Sequence, residues 1–399
     1  MNVKDFLKVK DNYRHYKLMR KGSPYVATYT IASPFPKLVG KRLEISPYYS
    51  LAIDDIQKLV PVNEYMIGSG TVYLGCDPEF FFTDSSNKVV PSTQIVEPNE
   101  EGVIIDGFQG ELNPRADSCR QRHACQIACG ITLAQRMAKE KKATVNLMKM
   151  GVVIDDDVWK KTPLSLKKFG CSPTLSAYDE NHKRVTGLRE KFRAGGGHIH
   201  LGFTGHKEDL KEIVKLMDIT AGLVSVLLDR DTDNVRRRKN YGRAGEYRAK
   251  SYGVEYRVPS NFWLRHYVLM SLMFAQVRTA FTLFTRNHTK ELLTLCPEDM
   301  VRKAINENDF NLALELFTRY INWLKENGYE VPSGLSPYNY DEFTDLLFNS
   351  DIYQEIGATT NAKCLDMWKD ATTDLGLGFE GYIVGRETGC NNFNYKRSN

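Results

Sequence analysis

The sequence predicts an α+β protein in which a curved, mostly antiparallel β-sheet is flanked by helices. Four short segments have the alternation of polar and apolar residues that places side chains on opposite faces of a strand; they are residues 72–82, 103–114, 197–203 and 253–261. Longer segments have helical character, namely residues 117–141, 207–228, 266–284 and 298–327. If the four strands are neighbours in one curved sheet, their polar faces converge on a single cavity.

Length and composition set the broad class of protein. The chain has 399 residues, of which 42% are hydrophobic and 26% charged, and a net charge of +5, which does not by itself argue for nucleic acid. The N-terminus lacks the apolar run of a signal peptide. No stretch reaches the ~18 uninterrupted apolar residues of a membrane span, since Gln276 and Arg278 interrupt residues 266–284 and favour a buried helix. Eight scattered cysteines without a Cys-x-x-Cys motif indicate free thiols in a reducing compartment.

We expect three regions along the chain. Residues 1–70 would form a small N-terminal α/β module, including a short helix at residues 51–59 that begins after Ser50. Residues 71–290 would hold the four polar-faced strands, and residues 291–399 would form a mainly helical C-terminal region packed on them.

Two of the strands carry carboxylates at alternate positions. Asp77 and Glu79 share one face beside a run of phenylalanines, and Gln109 and Glu111 share a face after the turn signal Asp106-Gly107. Buried carboxylates are costly unless a cation offsets them. The alternatives are a solvated strand face for the first pair and an ordinary polar hairpin for the second.

A third strand carries two histidines between glycines. His198 and His200 project to one face, and Ile199 and Leu201 project to the other. Imidazole nitrogens in this arrangement are common metal ligands. Taken alone, a pair of hydrogen-bonded core histidines is an equal alternative.

The strongest charge pattern is a basic segment that leads into the fourth strand. Residues 236–250 contain seven cations, two glycines and two tyrosines, and we expect a loop there. On the following strand Glu255 and Arg257 share a face. Arginines beside a carboxylate fit a polyphosphate that is bridged by metal. A solvated surface and a nucleic-acid patch are the alternatives.

Taken together, the four strands would line one cavity with four carboxylates, two imidazoles and a guanidinium. Mainly oxygen ligands with a histidine suit Mg²⁺ or Mn²⁺ better than Zn²⁺. More than one divalent ion is needed to offset this negative charge. Metals with an arginine cluster stabilise a transferring phosphoryl group.

The same four motifs resemble those of glutamine synthetase, and they occur in the same order. Residues 75–81 (Gly-Cys-Asp-Pro-Glu-Phe-Phe) resemble its Glu-Pro-Glu-Phe-Phe strand, residues 107–112 its Gly-Gln-x-Glu-Ile strand, residues 197–200 its Gly-x-His-x-His strand, and residues 255–259 its Glu-x-Arg strand. Residues 237–261 look closer still to the phage-type predicted carboxylate–amine ligases, type two, of the glutamine synthetase and glutamate–cysteine ligase superfamily. The resemblance spans roughly residues 70–265 and implies a glutamine synthetase-like catalytic barrel within residues 71–290.

The resemblance implies a role for each matching residue. Glu79 and Glu111 would hold a metal near the acceptor carboxylate, and Asp77, His198 and Glu255 would hold a metal that bridges the ATP phosphates. Arg257 would bind the transferring phosphoryl group, and His200 would lie near the nucleotide phosphates. Arg237, Arg243 and Arg248 are candidates for the ATP phosphates or the substrate carboxylate, and Glu246 is the nearest candidate base toward the amine.

Three features depart from glutamine synthetase. Asp77 stands where that enzyme has a glutamate, and a further metal glutamate is missing, with Asp106 as the nearest stand-in. The loop glutamate that acts on ammonium is also not found, so the amine need not be ammonium.

We therefore predict an ATP-dependent carboxylate–amine ligase that uses ATP with Mg²⁺ or Mn²⁺ and joins a small-molecule or peptide carboxylate to an amine through an acyl phosphate. A phosphotransferase of the guanidino-kinase type and a non-catalytic module that binds nucleotide or nucleic acid are the alternatives. The four acids argue against the last of these, since a pure anion binder gains nothing from them. We expect a cytoplasmic protein, in the host cytoplasm if phage-encoded, with no membrane partner, and a homo-oligomer is open.

Overall fold

The computed structural model describes most of the chain up to residue 374. The described residues are 1–10, 15–21, 26–30, 34–46, 49–62, 72–97, 102–117, 120–167, 174–179, 190–203, 210–229, 231–329, 332, 345 and 351–374. The glycine-rich stretch at residues 376–389 lies outside them.

The N-terminal part has its own small hydrophobic core. Its elements are α1 (Val3–Val9), β1 (His15–Arg20), β2 (Val26–Thr30), β3 (Lys37–Val39), β4 (Arg42–Ser46), β5 (Tyr49–Ala52) and β6 (Ile56–Val62). They form two antiparallel sheets of order β2-β1-β6 and β3-β4-β5. Phe6, Tyr16 and Leu59 are among the residues of this core.

The helix predicted at residues 51–59 is wrong. This segment contains β5, a 3₁₀ turn (Ile53–Asp55) and the start of β6. β5 pairs with β4, and β6 pairs along β1, with Leu18 opposite Leu59. These hydrogen bonds reach across many residues, so tertiary pairing outweighs the local helical pattern.

Two larger antiparallel sheets hold the candidate site. Their strands, with those of a small β13-β15 pair, are β7 (Tyr73–Cys76), β8 (Glu79–Thr83), β9 (Val89–Val90), β10 (Val103–Asp106), β11 (Gln109–Leu112), β12 (Thr144–Asn146), β13 (Gly151–Val153), β14 (Leu175–Ser176), β15 (Phe192–Ala194), β16 (Ile199–Gly202), β17 (Glu246–Lys250) and β18 (Gly253–Tyr256). One sheet has the order β14-β17-β18-β16-β7, and the other β10-β11-β8-β12 with β9 paired to β8.

The predicted mixture of helices and antiparallel strands is confirmed, but the barrel is not. Among the described residues the strands form five separate sheets, and none of them closes on itself. The four polar-faced strands are therefore divided between two sheets instead of lying side by side in one.

Several helices pack against the strands of the site sheets. The described helices after β6 are α2 (Arg120–Glu140), α3 (Asp156–Lys161), α4 (Leu164–Lys167), α5 (Leu210–Met217), α6 (Leu223–Leu228), α7 (Asp233–Asn240), α8 (Tyr267–Thr285), α9 (Thr289–Leu295), α10 (Glu298–Asn306), α11 (Phe310–Glu326), α12 (Ile352–Glu355) and α13 (Asn361–Asp374). A π-helical turn (Asp218–Gly222) joins α5 to α6. One hydrophobic core runs from Val72 to Trp368 and includes residues on both sides of position 290.

Helix α8 is the described helix that is long and apolar enough to cross a membrane, with a mean hydropathy of 1.4. However, 83% of its most apolar stretch is buried inside the protein. Gln276 and Arg278 are buried with it, and the Arg278 guanidinium donates to the carbonyl of Val72. Burial of this kind is typical of a core helix and confirms the predicted buried helix.

The basic segment at residues 236–250 is not a loop. Its first part belongs to α7, and its last part is β17, with a turn through Gly242 and Gly245 between them. Both glycines have positive φ, of 79° and 76°, a conformation that favours glycine. The cations of this segment are therefore held on regular elements that fix their directions.

Candidate metal and phosphate site

The chain passes from one site sheet to the other at Asp77 and Pro78. β7 ends just before this pair and β8 begins just after it, because proline has no N–H with which to continue a ladder. The single strand predicted at residues 72–82 is therefore two strands. Asp77 stays with the histidine-bearing sheet, whereas Glu79 lies directly opposite Glu111 in the other sheet.

Glycines let the histidine strand approach the segment after β18. A Cβ on Gly197 would lie 2.1 Å from the carbonyl oxygen of Ser260 and 2.4 Å from Nε1 of Trp263. The Trp263 indole donates to the carbonyl of Gly197 at 3.0 Å. A Cβ on Gly196 would lie 2.4 Å from Nε2 of His198. Side chains at these positions would push β16 out of place.

The strand register collects the polar side chains into rows. His200 lies opposite Glu255, which lies opposite Arg248. Directly opposed residues of an antiparallel sheet project to the same face. These three side chains therefore form one row. His198, two residues before His200, and Arg257, two residues after Glu255, belong to the neighbouring row on the same face.

Asp77 is held by both histidines. Nδ1 of His198 lies 3.1 Å from one carboxylate oxygen of Asp77, and Nε2 of His200 lies 3.2 Å from the other. Burial opposes ionisation of Asp77, but the two imidazoles keep its pKa well below the ordinary value. Burial and the nearby Arg257 lower the pKa of His198 to about 4, so this imidazole is neutral at pH 7.

Glu255 is surrounded by cations. Its carboxylate is 3.0 Å from Nη1 of Arg248 and 2.7 Å from Nζ of Lys250, and it also accepts a hydrogen bond from Arg257. Although burial would raise the pKa of Glu255, His198 and Arg257 lower it to about 2. Glu255 therefore stays ionised and available to a further cation.

A second acidic cluster lies where the two sheets meet. Glu79, Asp106 and Glu111 each offer an oxygen, and these oxygens lie within 4.8 Å of one another. Gln109 donates to Glu79 at 2.5 Å, and the backbone N–H of Gly196 donates to the same oxygen at 2.8 Å. The predicted carboxylate positions on β8 and β11 are thus brought together.

Burial, together with nearby negative charge, raises the pKa of each of these three acids. Burial and the neighbouring Asp106 raise the pKa of Glu79 to about 8. Burial, Asp77 and Glu79 raise the pKa of Glu111 to about 10. Burial also raises the pKa of Asp106. Carboxylates packed so closely disfavour each other's charged form, and a bound cation would reverse this effect.

The donor sets of both clusters fit divalent cations. Asp77, His200 and Glu255 form the first set, and its ligand atoms also lie within 4.8 Å of one another. Glu79, Asp106 and Glu111 form the second set, which is entirely oxygen. Carboxylates with one imidazole suit Mg²⁺ or Mn²⁺, and the repelling buried acids supply a reason for two cations.

The resemblance implied His198 for the first ligand set and His200 for the nucleotide phosphates, and these roles stay predictions. His200 lies in the set with Asp77 and Glu255, where His198 was expected. The phenol of Tyr252 hydrogen-bonds Nδ1 of His200 at 2.8 Å, an arrangement that orients its Nε2 for a metal. His198 is buried, and its Nε2 has no hydrogen-bond partner among the described residues. Its Nδ1 also contacts the first ligand set, 3.1 Å from Asp77 and 3.8 Å from Glu255.

Arg237 has a structural role in place of the predicted phosphate contact. Its side chain is fully buried, and its guanidinium donates to the carbonyls of Arg257, Val258 and Pro259 at 2.8–3.1 Å. These bonds take up three of the five guanidinium N–H groups. Arg237 instead anchors the chain just after β18.

The other two predicted phosphate-binding arginines lie in different surroundings. Arg248 is within the site, paired with Glu255. Arg243 is exposed in the turn between α7 and β17. Arg257 is fully buried between the clusters, where it contacts Glu255 and partly opposes the rise that burial causes in the pKa of Glu79. Arg248 and Arg257 are thus the arginines that the structure places beside the acids.

Glu246 holds the turn that precedes its strand. Its carboxylate accepts the backbone N–H of Gly242 at 2.7 Å, and its side chain is fully buried. Its backbone carbonyl accepts the N–H of Arg257. An amine would reach this carboxylate only if the turn opened, and the role of Glu246 as a base stays a prediction.

Three site residues escaped the sequence analysis. Lys250 contacts Glu255, and alternation along β17 with Arg248 could have indicated it. Tyr252 follows in the turn before β18 and reaches His200. The Tyr241 hydroxyl donates to the carbonyl of Ala194 at 2.6 Å. No pattern in the sequence indicates the two tyrosines, because loops bring them to the site.

Comparison with known families supports the resemblance stated above. Residues 185–327 match the model of the phage phiEco32-like COOH.NH2 ligase-type 2 family. This stretch contains the histidine strand, α7, β17 and β18, so it includes the first ligand set except Asp77. The match supports the amidoligase family and, through its name, a ligase that joins a carboxylate and an amine. No curated protein matches the chain.

Proposed function

We propose that the protein is an ATP-dependent carboxylate–amine ligase that forms an amide through an acyl phosphate. The observation that carries the proposal is the pair of adjoining ligand sets, Asp77, His200, Glu255 and Glu79, Asp106, Glu111, with Arg248 and Arg257 beside them. Two clusters of acids beside arginines fit phosphoryl transfer, in which positioning and neutralisation of charge do most of the work. The ligase family match supplies the reaction class.

The chemistry follows from the poor reactivity of a carboxylate. A carboxylate oxygen of the substrate attacks the γ-phosphorus of ATP, and ADP leaves. The amine then attacks the carbonyl carbon of the acyl phosphate, loses a proton, and displaces inorganic phosphate. Activation is needed because the oxygen of a free carboxylate is a poor leaving group.

The chain's own residues would contribute positioning and charge. Asp77, His200 and Glu255 would hold one Mg²⁺ or Mn²⁺, and the other acid set would hold a second. Bound divalent ions supply Lewis-acid polarisation and neutralise the phosphate charge. Arg257 and Arg248 would face the transferring phosphoryl group and the ATP phosphates, with Glu255 fixing both guanidinium groups.

The remaining features of the proposal follow the family. The two site sheets would form a glutamine synthetase-like catalytic fold within residues 71–290, with residues 1–70 and 291–399 as flanking regions. We propose a small-molecule or peptide carboxylate and an amine as substrates, a cytoplasmic location, and no membrane or nucleic-acid partner. A homo-oligomer is compatible with this fold.

The test is product formation with ATP and Mg²⁺ across a panel of carboxylates and amines, with the products weighed by mass spectrometry. We expect an amide together with ADP and phosphate, and loss of all three with Glu79→Ala. The matched control is Glu212→Ala, an exposed residue on α5, which should retain activity. A stable phosphorylated product without amide would instead identify a phosphotransferase, and full activity of Glu79→Ala would remove that residue from the site.

A further inference from the structure

The site face of the histidine-bearing sheet continues beyond the metal-ligand row. Gly202 lies two residues after His200, opposite Tyr73 on one side and Gly253 on the other. This row therefore projects to the same face as His200 and Glu255, at ~7 Å along the strands, which is the advance of two residues. Its two glycines leave a floor without side chains next to the ligand set.

Two exposed tyrosines border this floor. Tyr73 on β7 and Tyr252 in the turn before β18 are each 43% exposed. A Cβ placed on Gly202 would lie 3.6 Å from the Cβ of Tyr73 and 3.8 Å from Cδ2 of Tyr252. The space above Gly202 is thus at van der Waals distance from both side chains. A flat group laid there would contact the Cβ of Tyr73 on one side and the ring of Tyr252 on the other.

We infer that Tyr73, Gly202 and Tyr252 form the platform on which the base of the nucleoside triphosphate stacks. The inference rests on the proposed function, which places the phosphates of the same nucleotide at the neighbouring ligand set. Stacking on aromatic side chains suits any base, since every base has a π-face. The glycine floor allows close approach, as glycine does where a ligand lies against the backbone.

The position of Tyr252 connects this platform to the metal ligands. Its ring lies nearly parallel to that of His200, at 20° and with 6.0 Å between centroids. Its hydroxyl hydrogen-bonds Nδ1 of the same histidine. One residue thus presents its ring to the base and holds the imidazole that faces Asp77. A nucleotide lying along the sheet, with its base on Gly202, would direct its phosphates toward His200 and Arg248.

The experiment separates the base from the phosphates. Binding of ATP and of inorganic tripolyphosphate, each with excess Mg²⁺, is measured by calorimetry on the full chain. The variants are Tyr73→Leu and Tyr252→Leu, with Tyr252→Phe as the matched control that keeps the ring. We expect wild type to bind ATP more tightly than tripolyphosphate. In each leucine variant the ratio of these two affinities should fall about tenfold, which corresponds to ~1.4 kcal/mol of lost base stacking.

The controls keep the inference separate from the proposed function. Tyr252→Phe should retain the ratio of ATP to tripolyphosphate affinity, even if losing the hydroxyl changes both affinities through His200. Both tyrosines are exposed, Tyr73 on β7 and Tyr252 in the turn before β18, and thermal melting checks that each variant is folded. An unchanged ratio in both leucine variants would overturn the platform while leaving the ligase proposal intact. Wild type that binds neither ligand would overturn both.

Discussion

Replacing Glu111 by glutamine should change stability in opposite directions with and without a divalent metal. Glu111 lies opposite Glu79, and burial and neighbouring acids raise its pKa from 4.5 to about 10. Between these values the folded protein keeps a proton that the unfolded chain releases, so stability falls as pH rises. At pH 7 the raised pKa lowers the free energy of unfolding of wild type by about 3 kcal/mol, at ~1.36 kcal/mol per pKa unit. The neutral glutamine removes that cost.

Magnesium should reverse the order of the two proteins. A cation bound only to the folded wild type stabilises it by ~4.1 kcal/mol at a thousand times its Kd, which exceeds the ~3 kcal/mol cost of the protonated Glu111. Glu111→Gln replaces one of the three carboxylates of the second ligand set by a neutral amide and should lose most of this gain. The assay is urea unfolding at pH 7, in EDTA and in MgCl₂.

A matched control separates the site from general loss of charge. Glu212→Gln removes an exposed carboxylate on α5 and should change stability by less than ~0.5 kcal/mol in either solution. The reasoning is refuted if Glu111→Gln is less stable than wild type in EDTA and gains as much from MgCl₂.

Three further predictions concern individual side chains. His200→Ala should weaken Mg²⁺ binding roughly tenfold more than His198→Ala, because His200 lies in the ligand set; calorimetry that finds the reverse order would restore the role first expected of His198. Arg237→Lys should destabilise the fold by about 3 kcal/mol, since it removes buried bonds to three carbonyls, and unchanged stability with weaker ATP binding would contradict this. Burial raises the pKa of Asp218 to about 7. The free energy of unfolding of wild type, compared with that of Asp218→Asn, should therefore fall by on the order of 4 kcal/mol as pH rises from ~4 to 7, and it should fall no further above pH 7. Urea unfolding measures this difference, and a difference that does not depend on pH would count against the prediction.

The identity of the site residues could be predicted from alternation along each strand. Asp77, Glu79, Glu111, His200 and Glu255 all lie at alternate strand positions, and the structure brings their side chains together. Alternation determines which side chains share one face of a strand, and acids on the same face indicate a cation site. The sequence can therefore predict which residues contribute to such a site.

The partition of ligands between the two sets depended on features that alternation does not contain. Pro78 ends β7 and sends Asp77 and Glu79 to different sheets, so that two side chains two residues apart serve different clusters. Both histidines reach Asp77, and the register of β16 against β18 places His200 opposite Glu255. That register is set by pairing across about fifty residues.

The burial of charged arginine side chains was the other feature that the sequence did not predict. A run of arginines at residues 236–238 indicated a solvated loop or a phosphate site, yet Arg237 and Arg238 are buried in α7. Arg238 donates to the side chain of Asn308, and Arg237 donates to backbone carbonyls. A guanidinium can be buried when its donors find acceptors, and those acceptors come from distant parts of the chain.

The central claim is that a carboxylate oxygen of the substrate is transferred to phosphate. The most direct measurement supplies the carboxylate labelled with ¹⁸O at both oxygens, together with ATP, Mg²⁺ and the amine, and weighs the products. Attack of the carboxylate on the γ-phosphorus predicts one ¹⁸O in the released phosphate and one in the amide. An amide formed alongside phosphate that carries no ¹⁸O would contradict the account.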